Sequence, residues 1–336
     1  MGHLLSGHLL SRALAAAVAL GFAAGSAAAQ TEYPRRQITL IVPFAAGGPT
    51  DVVARIAADH MTRTLGQPVI IENVVGAGGT TASTRAARAA PDGYTVEMGH
   101  MGTHAASVAL YPNLAYKPDA DFAPIGLVAG TPVLIVAKKE FPAKDLKQFV
   151  SYVKANIATL NMAHAGVGSV SFTTCLLLNS ILGVKPASIP FNGTGPALTA
   201  LISGQVDYMC DQIVNLVQHL QGGQIKAYAI GTPERSPALP GVPTSKEAGL
   251  PAFQAQAWNA LFAPKDTPQP VLDKLSDALD KALDDELTRK RLLELGSVLP
   301  DKAGRGQQAL AALVKSEIAR WTPIIKAAGP TNWRLY

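Results

Sequence analysis

The sequence predicts an α/β protein built as two α/β lobes around a ligand cleft. Apolar runs of strand length alternate with stretches of helical spacing over most of the chain, the pattern of right-handed βαβ units with mainly parallel sheets. Two glycine-rich loops without lysine, 43–51 and 73–81, each follow a strand-like run and open a helix. Two Pro/Gly joints, Gly130-Thr131-Pro132 and residues 251–257, cut the chain into sections that cross between lobes twice.

Taken in order, the apolar runs place strands at 38–42, 69–72, 95–98, 125–129, 133–137, 161–163, 185–189, 206–209, 227–230 and 257–262. Helical spacing falls at 52–65, 80–90, 146–155, 172–182, 196–202 and 213–220, and the more helical C-terminal part adds 268–295 and 307–327. With the two crossings, residues 131–254 form lobe 2, while 30–130 and 255–336 together form lobe 1. Lobes strung this way share no large apolar interface, so relative motion is expected.

The N-terminus reads as an export signal. His3, His8 and Arg12 precede an apolar stretch at 13–23, and Ala27-Ala28-Ala29 before Gln30 fits small-residue cleavage, so 1–29 reads as a signal peptide and the mature protein as secreted or periplasmic. That stretch is short of the ~20 apolar residues a spanning helix needs. Roughly 300 residues remain, enough for a sizeable core. The formal net charge of +5 comes from scattered Lys and Arg with no basic stripe or aromatic platform, which argues against a nucleic-acid surface. The two cysteines, Cys175 and Cys210, suit either a disulfide or two buried thiols, and their spacing does not suit zinc.

The glycine loops carry the chemistry. Neither ends in Gly-Lys-Ser/Thr, so neither is a phosphate loop, and Thr81 stands where a dinucleotide fingerprint needs its third glycine. Carboxylate capture asks for less: convergent N–H groups, a hydroxyl and helix N-termini. Four or five charge-assisted contacts leave ~8 kcal/mol after ordering costs, which is micromolar binding without an arginine. The contact residues on this reading are Phe44, Ala45, Ala46, Gly47 and Thr50 in the first loop, Gly78, Gly79 and Thr80 in the second, and Thr103 beside a strand end. Facing them, Ser169, Thr194 and Asp211 supply hydroxyls and a carboxyl from the opposite lobe. The competing readings are that the glycines only make turns and that Ser169 and Thr194 only cap helices; Asp211 could cap the helix after it, accept from a ligand hydroxyl or orient a neighbouring donor, and capping is its favoured role. A hydrolase built from Ser169, His164 and Asp211 lacks the Gly-x-Ser-x-Gly elbow, and His100 and His104 lack the Glu of a zinc protease, so both histidines read as loop or packing residues. No metal, cofactor or catalytic residue is expected.

In this order, 43–51, Gly76-Ala77-Gly78-Gly79, Pro91-Asp92-Gly93-Tyr94-Thr95, Gly166-Val167-Gly168-Ser169, Gly193-Thr194-Gly195-Pro196-Ala197, Gly204-Gln205-Val206-Asp207 and Pro240-Gly241-Val242-Pro243-Thr244 closely resemble the solute-binding receptors of tripartite tricarboxylate transporters, also called Bug-type receptors. The resemblance covers nearly all of the mature chain. It implies a type II periplasmic-binding-protein fold, no enzymatic activity and no cofactor. It further implies that the loops at 44–50 and 76–81 grip one carboxylate while the opposite lobe reads the rest of the ligand. Ligands of such receptors include di- and tricarboxylates, amino acids and aromatic acids; the partners implied are the membrane permease subunits, with the receptor itself a monomer. Some relatives carry a cysteine pair at the positions of Cys175 and Cys210, which favours the disulfide. Phe172 departs from a histidine common in relatives, so no distal contact is carried over to it. The C-terminal 332–336 has no role in this reading. A free-standing carboxylate sensor is the alternative, and a secreted hydrolase a more distant one.

Overall fold

The computed structural model describes residues 33–328; the signal-peptide reading of 1–29 and the 332–336 tail lie outside them. The chain divides into a short leading unit, Met1–Arg35, and a main unit, Arg36–Tyr336, which holds every element discussed below.

The main unit alternates strands and helices. Its first lobe begins with β1 (Ile38–Val42), α1 (Pro49–Leu65), β2 (Val69–Asn73), α2 (Thr80–Ala87) and β3 (Thr95–His100). The central β1 is almost wholly buried and pairs in parallel with β2 on one side and β3 on the other, which is why it reads as a continuous apolar run. Helix α1 buries Val53, Ala54, Ile56, Ala57, Ala58, Met61 and Leu65, a stripe at helical spacing. It stops at Gly66, whose φ of 68° closes the last turn through an N–H to the Thr62 carbonyl. A π-helical turn, Gly102–Ala106, and α3 (Ser107–Leu110) follow β3, where the small residues of 101–110 show no period to read.

Strand β4 (Phe122–Lys138) corrects the expectation of two strands broken at Gly130-Thr131-Pro132. The 17-residue strand runs straight through, first antiparallel to β9 (Gln256–Pro264) as far as Pro132, then antiparallel to β7 (Tyr208–Gln212) and β8 (Ile225–Ile230) from Val133 onward. Pro132, which has no N–H to give, falls where the strand exchanges partners, so the ladder tolerates it. Val133 also bonds Ala255 and Gly231, which brings the chain back toward β9 at the same place.

The second lobe carries α4 (Leu146–Asn156), β5 (Asn161–His164), α5 (Val170–Leu182), β6 (Ala187–Pro190), α6 (Thr194–Ile202), β7, α7 (Val217–Gln221) and β8. Here β5 pairs in parallel with β6 and β7. The whole forms one sheet path in the order β2-β1-β3-β9-β4-β7-β5-β6, with β8 on β4; it is mixed rather than mainly parallel, because β4 and β9 run against their neighbours. The two halves of that path, dressed with helices, are the two α/β lobes of a type II periplasmic-binding-protein fold.

Two expected helices are divided. Residues 213–220 become a 3-10 turn, Ile213–Asn215, and then α7. Residues 268–295 become α8 (Gln269–Asp284) and α9 (Glu286–Glu294), because Asp285 is extended and caps the second helix by accepting from Thr288 N–H at 2.9 Å. The last helices are α10 (Lys302–Arg305) and α11 (Gln307–Ala327), the latter packed on β4, the π-helical turn and α5. Cys175 and Cys210 are free thiols, both fully buried, on α5 and β7. The expected disulfide is therefore replaced by a thiol pair in hydrogen-bond contact, and burial raises the Cys210 pKa well above its ordinary value, with the Cys175 bond adding to it.

Candidate functional site

Strand β1 delivers the first wall. Its loop, residues 43–48, is held by Asp51 in the first turn of α1. The Asp51 carboxylate accepts from Gly47 N–H at 2.8 Å, from Arg55 at 2.8 and 3.0 Å, and from Asn73 Nδ2 at 2.8 Å, and Asn73 also donates to the Phe44 carbonyl. Burial alone raises the Asp51 pKa, but the bonds from Arg55, Gly47 and Asn73 outweigh it and hold the carboxyl below its ordinary value. The ion pair thus fixes the loop and leaves its free face polar but without a cation.

The end of β3 supplies His100, stacked on Phe44 with ring centroids 4.8 Å apart. Its Nδ1 accepts from Gly102 N–H at 2.7 Å, and burial pushes its pKa down to about 3, so the ring is neutral and carries its hydrogen on Nε2. His104 is buried one turn further on, stacked on Phe262 at 4.0 Å, a packing residue as its spacing suggested. Thr103 lies behind this wall, bonded to the His100 N–H through its hydroxyl.

The second lobe faces these elements with three segments. Ser169 caps α5, accepting from Phe172 N–H at 3.2 Å while donating to the Gly166 carbonyl at 2.7 Å. Thr194 opens α6 after Gly193, which adopts φ 122°. Asp211 and Gln212 end β7. Asp211 caps nothing, contrary to the sequence reading: it sits in the strand, accepts from Gln212 N–H at 2.7 Å through Oδ1 and meets the Thr194 hydroxyl, while its buried Oδ2 has no hydrogen-bond partner among the described residues. Burial pushes its pKa up to about 7, against the pull of those two bonds.

Between the walls is a narrow cavity of about 20 Å³, bounded by Phe44, Thr50, Ser169, Thr194 and Asp211 from the sequence reading and by residues it did not count as contacts, among them Gly48, His100, Ser171 and Gln212. No lysine or arginine is among the residues that bound it. Three helix N-termini converge there: Pro49 and Thr50 of α1, Val170 and Ser171 of α5, and Thr194 of α6. Each contributes about half a positive charge and first-turn N–H groups, an arrangement suited to an anion.

The remaining candidates are set around the cavity rather than in its wall. Gly78 (φ 62°) packs so closely on the opposite lobe that a Cβ there would stand 1.8 Å from the Val167 carbonyl oxygen. Gly79 (φ 93°) packs within its own lobe, against Thr103, Pro43 and Phe44. The Thr80 hydroxyl turns back to the Ala77 carbonyl. Ala45 approaches Gly193 across the cleft, Ala46 lies exposed in the loop between them, and the Gly47 carbonyl accepts from Asn215 Nδ2 of the second lobe at 2.7 Å. Ser169, His164 and Asp211 do not bond one another; the His164 Nδ1 is occupied by Gly166 N–H, and burial pushes the His164 pKa down to about 4.

Residues 53–329 match the family described as tripartite tricarboxylate transporter family receptor. A protein encoded in the ttuE–ttuC' intergenic region of Agrobacterium vitis is 44% identical over 303 residues, covering 90% of this chain and 87% of that one. Among solved structures, MatC from Rhodopseudomonas palustris with bound malate is 56% identical with a TM-score of 0.85, covering 87% of this chain and 100% of that one. An R. palustris protein with adipate is 31% identical with a TM-score of 0.84, covering 89% and 99%. With three helix N-termini around a cavity between two lobes and a family match over most of its length, this chain belongs to the tripartite tricarboxylate transporter receptors of Bug type.

Proposed function

We propose that this protein is a periplasmic receptor that captures a short dicarboxylate of the malate type and presents it to the permease of a tripartite transporter. The observation that carries the reading is the cavity itself, where three helix N-termini meet with no cation in the wall, in a chain 56% identical to a malate-bound protein along that protein's full length. One ligand carboxylate sits against the α1 N-terminus and the 43–48 loop. The other end meets Ser169, Ser171 and Thr194. The adipate-bound relative, 31% identical, supports the same class with a longer spacer; the higher identity to the malate-bound protein is what favours the shorter acid.

A thermal-shift and calorimetry panel of malate, succinate, adipate, citrate, benzoate and glutamate tests this. At one common concentration malate or succinate is expected to stabilise most, the shift reaching ~2.7 kcal/mol once that concentration is one hundred times its Kd. Stabilisation by benzoate alone would overturn the dicarboxylate reading, and stabilisation by adipate, citrate or glutamate alone would overturn its malate-type part.

A further inference from the structure

Asp211 is a carboxyl group in a cavity built to hold carboxylates. It is fully buried, its Oδ2 has no hydrogen-bond partner among the described residues, and it bounds the cavity alongside Ser169 and Thr194. A dicarboxylate brings two further negative charges. Against them stand three helix N-termini, worth together about one and a half positive charges. Every titratable group packed around Asp211 fails to supply more. His100 on β3 and His164 on β5 are held neutral by burial. Cys210 on the same strand is a protonated thiol beside Cys175 of α5. Leu134 is its partner on β4, and Thr194 is the residue facing it from α6. The Asp51 charge at the base of the first loop is already matched by Arg55, and Lys138 at the other end of β7 is paired with Asp207. Three carboxylates in that space are therefore under-compensated unless one of them is protonated, and the group without a partner is the one able to take the proton and use it.

Building on the dicarboxylate reading, we propose that Asp211 takes up one proton when a dicarboxylate fills the cavity and donates it as a hydrogen bond to the ligand's second carboxylate, so that capture of dicarboxylates is proton-linked and capture of monocarboxylates is not. The pKa of the empty site, already pushed up to about 7 by burial, means that this uptake is paid mainly above neutral pH. The site then discriminates by charge state as well as by shape. A ligand hydroxyl donating to an ionised Asp211 is the rival arrangement, and it would take up no proton.

Calorimetry of the full mature protein with succinate, L-malate and butyrate at pH 8, in two buffers of different ionisation enthalpy, reads the proton count directly. About one proton taken up per succinate or malate and none per butyrate is expected, with dicarboxylate affinity falling about tenfold per pH unit between pH 7.5 and 9. Asp211→Asn keeps a donor and removes the titration; it is expected to bind succinate with no proton uptake and the same affinity across that range. The wild-type proton count decides the matter even if the variant does not fold. Dicarboxylate binding without proton uptake overturns the linkage and leaves the receptor reading standing, whereas no binding of either dicarboxylate overturns both.

Discussion

The Tyr111 hydroxyl donates to the Val167 carbonyl at 2.8 Å, joining the segment after α3 to the glycine loop of the opposite lobe. The same carbonyl lies against Gly78, and Gly168 beside it packs on Tyr111 and Gly78. Together with Asn215 donating to Gly47, these contacts form a seam around the cavity that exists only while the lobes are together. Ligand contacts and seam contacts therefore add in the same state, and a seam residue changes affinity without touching the ligand.

Tyr111→Phe removes one such bond and keeps the ring. A hydrogen bond of this kind is worth about 0.5–1.5 kcal/mol, so affinity for every ligand should fall about two- to tenfold with the ranking unchanged. Calorimetry with two acids of different length checks it. A loss confined to one acid would make Tyr111 a ligand contact instead.

The two neighbouring glycines should behave differently. A side chain at Gly78 meets the opposite lobe at the Val167 carbonyl, so Gly78→Val should abolish binding of all acids while costing the free protein the roughly 1–3 kcal/mol of a left-handed φ. At Gly79 an added Cβ would stand 2.7 Å from Thr103 Cγ2 and 3.0 Å from Pro43, inside one lobe. Gly79→Val should therefore lower the melting temperature without ligand as well. Equal melting temperatures for both variants would remove the distinction.

The sequence made the first loop and α1 legible because a buried parallel strand, a glycine turn and an amphipathic helix each leave a local signal. It also marked Ser169 as a cap and both glycine loops as special backbone. What it could not carry is which side of a loop faces which lobe: Gly78 and Gly79 read as ligand donors, but the fold sets one at the seam and the other in packing. Asp211 read as a helix cap because a helical pattern follows it, yet β7 extends to Gln212 and turns the carboxyl inward. His100 reads as packing and Gln212 has no role in the sequence reading, although both end strands that point at the cleft, a position that could single them out. The unbroken β4 was hidden by Gly130 and Pro132, whose usual meaning as breakers is overridden where a strand changes partners.

That exchange of partners carries a buried polar chain. Thr131 donates to the Gln212 side chain at 2.6 Å and accepts from Asn259 at 3.3 Å, and all three residues are buried. Thr131→Val keeps the shape and leaves Gln212 and Asn259 short of partners, which should cost about 1–3 kcal/mol in denaturant unfolding. Because Gln212 also bounds the cavity, affinity should fall with it. Thr131→Ser, which keeps the hydroxyl, should recover most of both; a serine variant as weak as the valine one would mean that the methyl group, not the bond, matters.

Glu97 on β3 gives the protein a pH dependence of its own, separate from the ligand. The side chain is fully buried, Oε1 accepts from the Ser83 hydroxyl at 2.5 Å, and Oε2 has no partner among the described residues. Burial pushes its pKa up to about 8, more than the Ser83 bond pulls it down, whereas the unfolded chain returns it to the ordinary 4.5. Between those two values the folded state binds the extra proton. Stability contributed by the neutral acid is therefore complete below pH 4.5 and is lost as pH rises toward 8, with a slope of up to ~1.4 kcal/mol per pH unit. Glu97→Gln keeps an amide of the same shape beside Ser83 and cannot titrate. Urea unfolding from pH 5 to 8 should show the variant gaining on the wild type at each step upward; parallel profiles would mean that Glu97 is ionised in the folded protein and that a counter-charge balances it there.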